Sequence, residues 1–245
     1  MHAGRSAISA ILLIILLPGT SSAMHISEGI LPFSWALFWY AVSAPFLAWG
    51  LRTLTQRSAA DLGSKPLTGM IAAVVFIISC MPIPIPVAGT CSHPCGTGLA
   101  AILLGPALGI VVAAVALLIQ ALFMAHGGLT TYGANLCAMG VAGSLAGYAV
   151  FRVTRTCGGG IVLAAFLGGV AADWATYSVT AMILAIGISG SQPVMPLFLT
   201  IITAFIPTQL PLGIMEGAIG AGLIRYIQGR RPELLDMLRK GAAQR

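Results

Sequence analysis

The sequence predicts an all-α fold, a polytopic membrane helical bundle, and three observations support that prediction. Of its 245 residues, 58% are hydrophobic and only 7% are charged, whereas a soluble domain carries about 25% charged residues. Apolar runs of about twenty residues, the length that crosses a bilayer as a helix, recur along the chain. The lysines and arginines cluster between those runs, as in membrane proteins. Because no face collects a basic stripe, the formal charge of +6 does not indicate nucleic-acid binding.

The first element is a predicted signal peptide, residues 1–23. A basic start precedes the apolar stretch 8–17, and the small residues Ser21 and Ala23 stand at positions −3 and −1 of a cleavage site. An uncleaved first helix is the alternative, but about ten apolar residues are short for a membrane span, which needs about twenty. Cleavage after Ala23 would expose Met24 on the outer side, in the periplasm of a bacterium.

About seven membrane segments are expected after removal of the signal peptide. Aromatic residues suited to the outer interface begin the first segment, and alternating prolines end the second because proline cannot continue a helix. Gly105-Pro106 divides the next apolar stretch into a short limb and a full helix, and Pro207 and Pro211 bend the last segment. The seven segments cover approximately residues 32–51, 67–80, 96–104, 107–125, 133–151, 161–188 and 197–227.

The positions of the basic residues predict the orientation of these segments. If residues 87–126 crossed the membrane once, Arg152 and Arg155 would lie outside, whereas two crossings, or none, place every basic residue of the mature chain inside. The mature N-terminus is then outside and the tail, residues 229–245, is cytoplasmic, in a multi-pass protein of the bacterial cytoplasmic (inner) membrane. The Ser92-His93-Pro94 loop is expected to dip into the bundle from the outer side, since irregular backbone is tolerated there when it lines a cavity.

Cleavage after Ala23 would also create a metal chelate at the new N-terminus. The Met24 amine and the His25 amide nitrogen close a five-membered ring around a metal ion, and the amide and Nδ1 of His25 close a six-membered ring. His93 is the predicted fourth nitrogen. Planar nitrogen sites favour Ni(II) or Cu(II), and Co(II) can enter. Because the amine has a pKa near 8, metal must displace a proton and binding should weaken as the pH falls.

Such a site has no open position for a reacting molecule. Closed sites hold metal, whereas catalytic sites keep one position free. The sequence therefore predicts metal capture rather than catalysis.

Five sequence blocks carry a resemblance to a known family. With them the chain resembles CbiM, the substrate-binding membrane subunit (S component) of cobalt energy-coupling-factor transporters, and is similar to its nickel counterpart NikM. The resemblance implies that the metal is held by Met24, His25 and His93. The blocks are Met24-His25-Ile26-x-Glu28-Gly29-x-Leu31-Pro32, Cys91-Ser92-His93-Pro94-x-Gly96-Thr97-Gly98, Gln120-Ala-Leu-Phe, His126-Gly-Gly-Leu-Thr-Thr-Tyr-Gly-Ala-Asn135 and Met139-Gly140.

The resemblance also implies how such a subunit works. The transported ligand would be Co(II) or Ni(II), with no resident cofactor, and the cobalt would serve cobalamin biosynthesis. The implied partners are ATPase subunits (CbiO-like), a scaffold membrane subunit (CbiQ-like) and a small accessory membrane subunit (CbiN-like). The chain lacks the Gly-x-x-x-x-Gly-Lys-Ser/Thr loop that cradles ATP phosphates, so the energy would come from those partners. Residues 24–228 are accordingly expected to form the membrane-embedded metal-binding transporter domain.

Four further residues are candidates for the surroundings of the metal or for its entry path. Glu28, three residues after His25, could orient the imidazole as a hydrogen-bonded carboxylate. His126 stands beside a Gly-Gly turn at a predicted outer helix end, where a structural or entry-path role is expected. Ser92 and Asn135 lie within the matched blocks.

The apolar segments also contain two acidic residues and two pairs of closely spaced glycines. Asp173 and Glu216 fall inside these segments, where charges are expensive and usually functional, and they could be protonated or paired near a polar pocket. Glycines four residues apart, in Gly143-x-x-x-Gly147 and Gly213-x-x-x-Gly217, predict close packing between helices.

Two alternative functions stay open on the sequence. Ni(II) uptake by the same mechanism is the first, because nitrogen geometry does not separate cobalt from nickel. A membrane-embedded zinc enzyme is the second, with His93, His126 and either Cys91 or Cys95 as ligands. That enzyme would need a general base, and Glu28 alone is positioned to act as one.

Overall fold

The structure, a computed structural model, describes residues 25–80, 83–85 and 90–232. The predicted signal peptide, Met24 and the tail beyond residue 232 lie outside the described residues, so the predictions for them remain predictions. Within the described ranges the chain is mostly helical, as the composition predicts. The elements in chain order are α1 (Phe33–Ala60), α2 (Ser64–Ser79), β1 (Ile83–Ile85), β2 (Thr90–Ser92), α3 (Thr97–Leu104), α4 (Pro106–Phe123), α5 (Tyr132–Asn135), a π-helix (Leu136–Gly143), α6 (Ser144–Thr156), α7 (Ile161–Ile188) and α8 (Val194–Arg230).

The helices form a membrane-type bundle. By length and composition, four helical stretches within the described ranges can cross a bilayer, and α2 is a shorter apolar helix of 16 residues. The helical bundle is thus confirmed, while the count of seven crossings remains a prediction. The four stretches are Pro106–Phe123, Tyr132–Thr156, Ile161–Ile188 and Val194–Arg230.

Within the described residues the bundle is helical apart from one short ribbon, in which β1 and β2 pair as antiparallel strands. The register joins Ile83 to Ser92, Pro84 to Cys91 and Ile85 to Thr90. The alternating prolines around β1 explain this departure. Proline fixes φ near −65° and has no N–H, so it opposes a helix but is tolerated in a short extended strand. His93 is the first residue after β2, so the strand pair fixes where the loop that carries His93 begins.

The break at Gly105-Pro106 lies where the sequence places it. Gly105 has φ +86°, a conformation that favours glycine, and Pro106 begins α4, where its missing N–H is harmless. The Arg57 guanidinium donates a hydrogen bond of 2.7 Å to the Leu104 carbonyl at the end of α3. The short limb and the full helix therefore meet at a defined corner.

The glycines spaced four residues apart, which we call glycine seams, let the backbones of α6, α7 and α8 come into contact. A Cβ on Gly169 of α7 would lie 2.8 Å from the Cα of Gly217 on α8, and a Cβ on Gly147 of α6 would lie 2.9 Å from the Gly168 carbonyl oxygen. Only glycine permits such an approach, so the predicted seams are contacts inside the bundle. They bring α7 and α8 against the loop that follows β2.

Candidate metal centre

Three histidines from distant parts of the sequence converge at one end of the bundle. His25 lies in the N-terminal segment, His93 follows β2, and His126 follows α4. The ring centroids of His25 and His93 are 4.8 Å apart, and that of His126 lies 4.9 Å from the first and 5.1 Å from the second. One ligand nitrogen from each ring lies within 4.8 Å of the others. Because His25 and His93 are buried, this is an enclosed nitrogen cluster.

Hydrogen bonding fixes which nitrogen of His93 is protonated. Its Nδ1 lies 3.0 Å from the carbonyl oxygen of Pro94. A carbonyl only accepts, so Nδ1 carries the proton and Nε2 carries a lone pair. That Nε2 lies 3.2 Å from Nε2 of His25. The Tyr177 hydroxyl donates to the His93 carbonyl at 3.1 Å, which holds the loop backbone in place.

The same reasoning fixes the state of His25. The side-chain nitrogen of Gln120 donates to the carbonyl and the hydroxyl of Ser79, at 3.2 and 2.9 Å. Its side-chain oxygen therefore faces His25 and accepts a hydrogen bond from Nε2 at 2.9 Å. With the proton on Nε2, the Nδ1 atom of His25 carries the lone pair. Nδ1 is the nitrogen that closes the six-membered chelate ring expected from the sequence.

Asn135 anchors the residue that follows His25. Its Oδ1 accepts a hydrogen bond of 2.8 Å from the Ile26 N–H, and its Nδ2 donates to the Ile26 carbonyl at 3.1 Å. The Thr131 hydroxyl donates to the same carbonyl. Asn135 ends α5, where the π-helix begins. A buried amide thus holds the N-terminal segment against the bundle, which gives Asn135 a positioning role.

Glu28 does not take the role predicted for it. Its exposed carboxylate accepts a hydrogen bond of 3.1 Å from the Thr130 N–H, and hydrogen bonding from Thr130 lowers the pKa of Glu28. Gln120 instead holds the His25 ring. Glu28 lies in a turn that the Ile30 N–H closes on the Ser27 carbonyl at 3.3 Å, and its carboxylate bonds to Thr130 rather than to the imidazole. Ser92, the other nearby candidate, ends β2 directly before His93.

His126 lies beside the imidazoles of His25 and His93. It follows Ala125, whose φ of +48° is strained for a residue with a side chain. Its backbone N–H donates to the Gln120 carbonyl at 3.2 Å. Its Nε2 is buried and has no hydrogen-bond partner among the residues that the structure describes. A buried nitrogen without a partner, facing two other imidazoles, is available for a metal ion.

Burial keeps the three imidazoles neutral. Desolvation lowers the pKa of His126 and lowers the pKa of His93 to about 4. For His25, burial and then repulsion from His93 and His126 hold the pKa well below its usual value. Neutral imidazole is the form that binds metal, so at neutral pH protons do not compete for these nitrogens.

Comparison with known proteins identifies the family. Residues 25–234 match the family model described as "CbiM: Cobalt uptake substrate-specific transmembrane region". The chain belongs to the CbiM family. The resemblance seen in the sequence is therefore confirmed, and the chain is a membrane protein of a metal-uptake family rather than an enzyme family.

Named CbiM relatives agree with this assignment. The cobalt transport protein CbiM of Geobacter sulfurreducens is 61% identical over 93% of this chain and 66% of that protein, so the chain spans about two thirds of that relative's length. The cobalt transport protein CbiM of Sorangium cellulosum is 54% identical over 88% of this chain and 96% of that protein. That of Desulforamulus reducens is 40% identical over 97% of this chain and 94% of that protein.

Solved structures share the CbiM fold described above. A truncated transition metal transporter superposes with a TM-score of 0.77 at 28% identity, covering 84% of this chain and 99% of that one. A second transition metal transporter gives a TM-score of 0.75 at 27% identity, covering 84% and 93%.

The structure contradicts the form of the zinc-enzyme alternative that uses Cys95, while the side chain of Cys91 lies outside the described part of the structure. The structure does not group Cys95 with His93 and His126. It groups Cys95 with Asp173 and Glu216 instead. Cys95 also carries a free thiol, so it forms no disulfide.

Proposed function

We propose that this chain is the substrate-capture subunit of an ATP-driven energy-coupling-factor importer that takes up Co(II) across the bacterial cytoplasmic membrane for cobalamin biosynthesis. The observation that carries this proposal is the buried meeting of His25 and His93, whose ring centroids lie 4.8 Å apart. His25 stands one residue after the N-terminus that cleavage would create. The relatives named as cobalt transport proteins support cobalt as the ion.

Capture would use four nitrogens. The Met24 amine, the His25 amide and His25 Nδ1 form two fused chelate rings, and Nε2 of His93 supplies the fourth ligand. The Gln120 hydrogen bond leaves the required lone pair on His25 Nδ1, and Asn135 holds the adjoining backbone. The His25 ring and the adjoining backbone are already held in position before the metal binds. Little conformational freedom is therefore lost on binding, which favours high affinity.

The capture subunit needs partners for transport. The chain carries no ATP-binding loop of its own, so CbiO-like ATPase subunits would supply energy through a CbiQ-like scaffold, with a CbiN-like accessory subunit. In this proposal the subunit crosses the membrane seven times with its mature N-terminus outside. It takes the ion from the outer side and rocks against the scaffold to release it inside.

A two-residue extension tests the chelate. Two alanines inserted before Met24 of the mature protein turn its amine into an amide, move the free amine out of chelating reach of His25 and leave every side chain in place. We expect at least about a hundredfold loss of Co(II) affinity, since the amine no longer closes the five-membered ring. The matched control adds the two alanines after Arg245 and should bind as the parent does. A purified subunit that still begins at Met1 and binds cobalt normally would refute the proposal.

Nickel is the second candidate ion, and the planar nitrogen set favours it. Such sites suit Ni(II) at least as well as Co(II). Competition between the two ions on the purified subunit, with metal content measured after expression in medium containing both, decides between them. A content dominated by nickel would assign the subunit to nickel uptake with the same architecture.

A further inference from the structure

A second group of potential ligands lies beside the loop that carries His93. Cys95 belongs to that loop, Asp173 to α7 and Glu216 to α8. All three side chains are buried, and one ligand atom from each lies within 4.8 Å of the others. We call these three residues the lower cluster.

The lower cluster is held in a defined geometry. Glu216 Oε2 accepts the Cys95 N–H at 2.7 Å, and Oε1 accepts the Gly96 N–H at 2.9 Å. Each oxygen keeps a second lone pair. The Cys95 sulfur lies 4.0 Å from Asp173 Oδ1, while the sulfur and oxygen of a tetrahedral zinc-type site are about 3.6 Å apart. A small movement would let one ion bind both.

The lower cluster also has an unsatisfied acceptor. Asp173 Oδ2 is fully buried and has no hydrogen-bond partner within the described part of the chain. The hydrogen bonds that the structure gives Glu216 and the sulfur contact of Asp173 come from Cys95 and Gly96, which bring no positive charge. Buried carboxylates require a cation or a proton. A thiol beside two carboxylates is a donor set that suits a borderline transition metal rather than Mg²⁺ or Ca²⁺.

One small cavity touches a member of each group of ligands. It has a volume of about 10 Å³, and its lining includes His25, Asn135, Cys95, Thr176 and Tyr177. This is room for a single water molecule or ion. His25 and Cys95 therefore face the same space.

We propose that Cys95, Asp173 and Glu216 form a second binding site for a divalent transition-metal ion such as Co(II), adjacent to the three histidines. The proposal rests on the proposed function only in taking the ion to be the transported one. The ion binds the Cys95 thiolate and one oxygen from each carboxylate, and the thiol proton leaves to solvent together with any proton that the two carboxyl groups hold in the metal-free protein. Glu216 also holds the Cys95 and Gly96 N–H groups, so an ion drawn to Glu216 displaces the backbone two residues after His93.

Co(II) titration of the purified full-length mature protein tests the site, because a thiolate ligand gives cobalt a near-ultraviolet charge-transfer band. We expect two Co(II) ions per chain and one such band. Cys95→Ser should lose the band and one ion, and Asp173→Asn should weaken the second ion about tenfold. The matched control is Cys137→Ser, a buried cysteine of the π-helix outside the lower cluster, and it should keep both.

The outcomes separate this site from the capture site. His93→Ala should lose one ion and keep the charge-transfer band. A band that survives Cys95→Ser, a band lost in Cys137→Ser, or one ion per wild-type chain without a band would each overturn the second site. If the His93→Ala variant keeps both ions, the proposed capture site is wrong while the second site stands. Circular dichroism melting of each variant confirms that it is folded.

Discussion

Gln120 Oε1 lies 2.9 Å from Nε2 of His25, although 95 residues separate the two in the sequence. The opposite end of the Gln120 amide is committed to Ser79 through two hydrogen bonds. One glutamine therefore sets both the orientation and the tautomer of the histidine nearest the N-terminus. Partners of this kind typically contribute 10- to 100-fold in metal affinity.

Gln120→Leu should accordingly weaken Co(II) binding about 10- to 100-fold. The leucine fills a similar volume but leaves His25 without its acceptor, so the imidazole samples the tautomer that protonates Nδ1. Titration against a chelator of known affinity measures the effect. Gln192→Leu, in the exposed turn before α8, is the matched control and should change nothing. Equal affinities for both variants would mean that Gln120 does not position the ligand.

Gly127→Ala should reduce metal affinity through a steric effect. A Cβ at this position would lie 3.0 Å from the His25 Cβ and 3.3 Å from Asn135 Nδ2. Gly158 is a matched control because its φ of +85° resembles the +83° of Gly127, while a Cβ there would meet nothing within 4 Å. Both substitutions should lower stability by roughly 1 kcal/mol, since alanine disfavours positive φ. A lower Co(II) affinity for Gly127→Ala alone confirms the contact, and equal affinities contradict it.

Asn135→Leu should loosen the N-terminal segment. It leaves the buried Ile26 N–H without its acceptor, which destabilises that attachment by roughly 1–3 kcal/mol. We expect faster amide exchange around residues 25–28 and weaker Co(II) binding, with the exchange of α7 unchanged. Asn135→Asp keeps the acceptor for the Ile26 N–H but loses the donor to the Ile26 carbonyl, so it should recover only part of the protection. Unchanged exchange in the leucine variant would show that other contacts hold the segment.

The part of the site that follows local chemical rules could be predicted from sequence. His25 and His93 were identified because chelate-ring size depends on adjacent atoms and because a glycine-flanked loop between apolar segments favours a buried turn. The break at Gly105-Pro106 follows equally local rules. Each of these features depends on residues within a few positions of one another.

The supporting contacts could not be predicted because they join residues across the bundle. Gln120 stands in an apolar helix, and nothing in its periodicity indicates that it meets a histidine 95 residues earlier. Nearness in sequence favours Glu28 as the partner of His25, but the Glu28 carboxylate accepts its hydrogen bond from the Thr130 N–H instead. The pairing of β1 with β2 was missed because strands of three residues leave no alternating pattern to detect.

The metal-free protein should lose stability as the pH falls from about 6.5 to about 4. Burial lowers the pKa of His93 to about 4 from the usual 6.5, so in this window the unfolded chain binds the extra proton and stability rises with pH. Above pH 6.5 both states are neutral at this residue and its contribution is constant. Melting temperatures in detergent measure the slope. His93→Gln should flatten it, and a wild-type slope that the substitution leaves unchanged would contradict the assignment.

His126 provides a test of cobalt against nickel. Its Nε2 is buried without a hydrogen-bond partner in the described residues, and its ring centroid lies 4.9 Å from that of His25. A fifth nitrogen beside a planar set of four suits Co(II), which accepts additional ligands, more than Ni(II), which favours planar nitrogen coordination. His126→Ala should therefore weaken Co(II) binding about tenfold and Ni(II) binding much less.

Competition titrations of both ions on the His126→Ala variant measure this difference, and the visible spectrum of bound Co(II) reports the loss of a ligand. The Gln120 variant is the natural comparison, because it acts through His25, a ligand that both ions share, and should weaken both alike. An equal loss for both ions in His126→Ala, with an unchanged cobalt spectrum, would mean that His126 only packs against His25. A selective loss for cobalt would make this third histidine the residue that distinguishes the two ions.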